Sequence, residues 1–81
     1  MTDPILKILK NEPHLTALQI WQRMVKSVVK DSKLLKKLKD EYPLRDQSVR
    51  VFLAEAEENG VVQHRIKFRS ILKEWSLRGD Q

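Results

Sequence analysis

Between residues 47 and 77 the spacing of apolar positions changes from a helical repeat to an alternating one. Val49, Phe52, Leu53 and Ala56 recur at intervals of three and four, so one face of a helix turns inward and Gln47, Ser48 and Arg50 are left outside. From residue 62 onward the even positions read Val62, His64, Ile66 and Phe68, and the odd ones Gln63, Arg65, Lys67 and Arg69. That is a two-residue repeat with a cationic face. The pattern predicts a helix over 46–59, started by Asp46 and stopped by a left-handed cap at Asn59 and Gly60. A hairpin over 61–77 should follow, with strands near 61–66 and 72–77. The connection KFRSI lacks the glycine of a tight turn and predicts a longer loop.

Upstream the apolar positions keep the helical period. Asp3 before Pro4 is a good helix opening, and Ile5, Ile8 and Leu9 give a helix over 4–11 its stripe before Pro13 stops it. Thr16 with Gln19 matches a capping box and predicts a helix over 17–30 whose inward face carries Ala17, Ile20, Trp21, Met24 and Val28. Asp31 and Ser32 interrupt the pattern, because both prefer caps and turns. Residues 33–42 then read as a further helical segment, with Leu34, Leu35 and Leu38 against a lysine-rich face and Pro43 closing it.

The chain has 81 residues, which makes one domain with a small core. At 41% hydrophobic and 33% charged residues it should fold rather than stay disordered. Without cysteine it has neither disulfides nor a thiolate metal site, and it shows no membrane-length apolar run and no signal-peptide pattern. A cytoplasmic location without a membrane partner is the expectation. The net charge of +5 favours a polyanionic partner, and its distribution is uneven. Lysines 26, 30, 33, 36, 37 and 39 crowd the middle, and Arg65, Lys67, Arg69 and Lys73 the hairpin. Glu55, Glu57 and Glu58 form an acidic patch between them.

The succession LTALQIWQRM, SVRVFLAEAEENGVV and EWSL resembles the winged-helix class of DNA-binding domains, a variant of helix-turn-helix. The opening ILKILKNEPHLTALQIWQRM is also similar to the DNA-binding half of ferric-uptake-type repressors, whose metal-binding dimerisation domain has no counterpart here. The resemblance implies a mainly α fold with a small β-hairpin, and a recognition helix at 46–59 followed by a wing at 61–77. In one respect the chain departs from the class. About twenty residues, 25–44, stand where a few turn residues are usual, so the extra lysine-rich segment precedes the recognition helix.

On that fold the expected partner is double-stranded DNA, and the expected role is that of a small transcription regulator. Gln47, Ser48 and Arg50 would read base edges in the major groove, with Arg45 on a phosphate. Arg65, Lys67 and Arg69 of the wing would follow the backbone or enter the minor groove. Lys33, Lys36 and Lys37 are candidate phosphate contacts. Each has a plainer account: solvated polar residues on an exposed helix, cations that keep a strand edge from aggregating, and a solvated lysine face. The 26–42 segment is also the candidate seam of a homodimer, through Leu34, Leu35 and Leu38. A second functional class is a winged-helix protein-interaction module inside a larger assembly, since fold does not fix function. Enzymatic activity, a metal and a cofactor are not expected. His14 and His64 are the only histidines and lie far apart, and the carboxylates read as an exposed helix end.

Overall fold

The computed structural model describes residues 4–66 and 71–79. It has four helices followed by a hairpin: α1 (Pro4–Asn11), α2 (Ala17–Val28), α3 (Ser32–Glu41), α4 (Asp46–Glu58), β1 (Val62–Ile66) and β2 (Lys73–Leu77). This order is compatible with a winged helix and does not by itself identify one.

Helices α2 and α3 are started by side-chain caps, while Asp3, the expected opening of α1, lies outside the described residues. In α2 the Thr16 hydroxyl accepts from the Gln19 amide at 3.2 Å, and the Gln19 side chain accepts from the Thr16 amide at 3.0 Å, so the expected capping box forms. The Asp31 carboxylate accepts from the amides of Lys33 and Leu34 at the start of α3. The interruption at Asp31 and Ser32 is therefore a break between two helices, and α2 ends at Val28, two residues before the expected 30.

The start of α4 differs from expectation. Asp46 is its first residue, while Arg45 holds the capping position with φ 57° and offers no side-chain cap. The hydroxyl of Ser48 instead accepts from the Leu44 amide at 3.0 Å and ties the turn to the helix. At the other end Gly60 adopts φ 75°, and the amide of Val61 donates to the Ala56 carbonyl at 2.9 Å. A left-handed residue after the last turn satisfies carbonyls that the helix leaves over.

The core forms where the inward stripes meet. Ile5 and Leu9 of α1, Ile20 and Met24 of α2, Val49 and Leu53 of α4, and Val62 of β1 are fully buried. Complete burial of one such side chain is worth roughly 1.5–3 kcal/mol against leaving it in water. Helix α4 packs across α2, and α1 packs on α2 and β2. Helix α3 is held more lightly, by buried Leu38 and by Tyr42, whose ring meets Trp21 edge-on at 6.5 Å.

The hairpin is antiparallel, with Val62 opposite Leu77, His64 opposite Trp75 and Ile66 opposite Lys73. On its far side β2 gains a second partner. The Trp75 amide donates to the Leu15 carbonyl at 2.7 Å, and the amides of His14 and Leu15 donate to the Trp75 carbonyl. The strand that carries Trp75 thus lies between β1 and the segment before α2.

Candidate nucleic-acid interface

Helical geometry fixes what α4 shows to solvent. With Val49, Leu53 and Ala56 buried, Gln47, Arg50, Val51, Ala54, Glu55 and Glu58 are exposed. Among the candidate reading residues Gln47 is fully outward. Arg50 is exposed too, and its guanidinium lies 3.5 Å from the Asp46 carboxylate one turn earlier. An exposed pair of this kind is weak, so a phosphate or base can displace the carboxylate. Ser48 is half-buried and already engaged by the Leu44 amide. Arg45 is exposed in the link between α3 and α4, where its side chain can reach outward.

The hairpin meets α4 along its even-numbered face. The His64 imidazole Nδ1 is hydrogen-bonded to the Glu57 carboxylate, and its ring lies 5.1 Å from that of Trp75. The Lys73 ammonium sits 5.9 Å from the Trp75 ring centroid. Because strand side chains alternate, Arg65 and Glu74 lie on the opposite face, away from Glu57. There the Arg65 Nε donates to the Glu74 carboxylate at 3.0 Å. The expected cationic stripe is therefore partly neutralised, by an acid directly across the ladder. Lys67, Arg69 and Phe68 lie outside the described residues.

A cleft of about 600 Å³ opens between the start of α2, the outer side of α4 and the approach to β2. Leu18, Ala54, Ile71 and Leu72 give it apolar walls, and Arg50, Asp46, Glu57 and Lys73 stand around it. A shallower depression on the other flank of α4 is lined by Tyr42, Leu44, Val51 and Phe52.

The largest group of cations belongs to α3 and the end of α2. Lys33, Lys36 and Lys37 are exposed, as are Lys26, Lys30 and Lys39, and none makes an ion pair with an acid among the described residues. Of the leucines expected to form a dimer seam, Leu38 is buried and Leu35 half-buried against the fold, so only Leu34 remains outward, close in sequence to exposed Val29. Among the described residues no three His, Asp or Glu side chains gather where they could hold a metal ion, and no helix is long and apolar enough to cross a membrane.

Two features of this surface escaped the sequence reading. Val51 and Ala54 are outward residues of α4, and helical spacing opposite Val49, Leu53 and Ala56 was the signal for them. Glu74 was the other, an acid in the second strand at the position that pairs with Arg65. Comparison with protein-family models, with curated proteins and with solved structures finds no match.

Proposed function

We propose that this chain is a winged-helix protein that binds double-stranded DNA and acts as a small transcription regulator. The observation that carries the reading is the segregation of charge around the link between α3 and α4. Five exposed lysines of α2 and α3, with Lys30 between the two helices, are free of ion pairs with described acids; only Asp40 and Glu41 separate them from residues 42–45, after which α4 begins with Gln47 and Arg50 outward. Phosphates would meet the lysines of α3 and Arg45, while the first two turns of α4 enter the major groove. The amino end of a helix also carries a partial positive charge, which favours that orientation over the acidic far end at Glu55 and Glu58. Wing contacts would come from Lys67 and Arg69, with Arg65 joining them if its Glu74 pair is exchanged for a phosphate.

Titrating random duplexes at several salt concentrations tests the proposal. With about five phosphates neutralised, log affinity should fall with log salt at a slope of about −4 to −5. Absence of binding at low salt would reject it.

One observation favours a second reading, a protein-interaction module. The cleft beside α4 is apolar along Leu18, Ile71 and Leu72, and α4 itself carries four carboxylates against one arginine. Phosphate-binding surfaces are built of the opposite charge. A flat salt response, or no duplex binding at all, would favour the module.

A further inference from the structure

We propose that α4 discriminates between DNA sequences through apolar contact with thymine methyl groups, made by Val51 and Ala54; this rests on the DNA-binding reading above. On the side of α4 opposite its buried Val49, Leu53 and Ala56 lie Gln47, Val51 and Glu58, with Ala54 and Glu55 on either flank, and all five are exposed. This outermost stripe contains no cation. Lysine or arginine here would draw affinity from phosphates whatever the sequence, whereas glutamine, valine and alanine have little to gain except from base edges.

Val51 is 60% exposed and does not belong to the core. A β-branched residue is a poor helix former, and at this exposure Val51 adds little to packing beyond the shallow depression it lines with Tyr42, Leu44 and Phe52. Its outward methyls are free to meet an apolar group on a partner. In the major groove the C5-methyl of thymine is the one apolar group that the base edges present. Ala54 lies three residues further along the same side, and its single methyl lets the helix backbone approach closely. Gln47 precedes Val51 by one turn and can pair with N6 and N7 of adenine. The stripe therefore fits a short run of A·T pairs, with thymine read by Val51 and Ala54 and adenine by Gln47. Glu58, at the far end of the stripe, opposes phosphates there and limits insertion to the turns up to Ala54.

The test uses the full chain and duplexes enriched by it from a random pool. Each thymine of an enriched site is replaced in turn by deoxyuridine, which removes the methyl and nothing else. One or two positions should lose about three- to fivefold in affinity, the worth of one buried methyl. Val51→Ser should bind the thymine and uracil forms alike, with its melting temperature and salt slope unchanged. Two outcomes overturn the inference and leave DNA binding standing: enriched sites that tolerate uracil everywhere, and duplexes bound with no enriched sequence. Failure to bind any duplex at low salt removes the DNA-binding reading itself.

Discussion

Helices α3 and α4 follow one another across four residues and are similar in length, yet they are built for opposite purposes. Helix α4 buries Val49 and Leu53 completely, and Ala56 nearly so, while α3 buries Leu38 alone along its length. Their charges are reversed as well. Four lysines of α3 face Asp40 and Glu41, whereas one arginine of α4 faces four carboxylates. The helix that holds the fold together is thus poor in the charge that attracts a polyanion, and the helix rich in that charge is lightly held. In the proposed complex, affinity and shape recognition would fall to different elements, so each could be changed alone.

Core substitution should expose the difference most strongly. Leu53→Ala is expected to cost about 2–5 kcal/mol in urea denaturation, while Leu34→Ala, on the exposed side of α3, should stay within about 0.5 kcal/mol. Equal losses would mean that α3 is as integral to the core as α4. Replacing Lys33, Lys36 and Lys37 together by glutamine should weaken all duplexes alike and reduce the salt slope by about 3. An unchanged slope would take α3 out of the interface. Arg50→Ala should instead erase about 1–3 kcal/mol of discrimination between preferred and random duplexes. If it acts uniformly, α4 reads no bases through that side chain.

Two smaller effects concern the ends of this scaffold. Gly60→Ala has room for its methyl, since the nearest atom would be the Arg78 guanidinium at 3.7 Å, but φ is 75°. The strain alone should cost about 1 kcal/mol, seen as a drop of several degrees in melting temperature. The weakest effect is expected at low pH. A hydrogen bond from Arg23 holds the Glu12 carboxyl below its ordinary value of 4.5. A lowered folded-state value means that this contribution is complete above the ordinary carboxylate range and disappears as pH falls through the folded value. Because both side chains are exposed, Glu12→Gln should only slightly flatten the acid limb of a stability profile.

Local chemistry made most of the fold legible in the sequence. The Thr16 and Gln19 capping box, the Asp31 break, the Gly60 stop and the alternation from Val62 each depend on residues within a few positions, so reading them needs no tertiary information. The boundaries of α1, α3, α4 and both strands accordingly fall within one residue of those expected. What was missed depends on register or on rotation about a helix axis. Arg65 looked unopposed because its partner Glu74 lies nine residues away, and only the ladder brings them together. Ser48 was placed among outward residues, although the turn before α4 claims its hydroxyl. Asp46 was expected to cap that helix, but the backbone at Arg45 turns into a conformation that shifts the carboxylate into the first turn.

The bridge between Leu15 and Trp75 has a bearing on how the chain comes together in time. On a ribosome Leu15 emerges roughly 60 residues before Trp75, a delay of about 3 to 12 seconds at ordinary rates of synthesis. Until then the segment ahead of α2 has no strand to pair with, and the space that the indole will fill stands open. The nascent protein must therefore remain unfinished, with apolar surface uncovered, until its closing strand arrives.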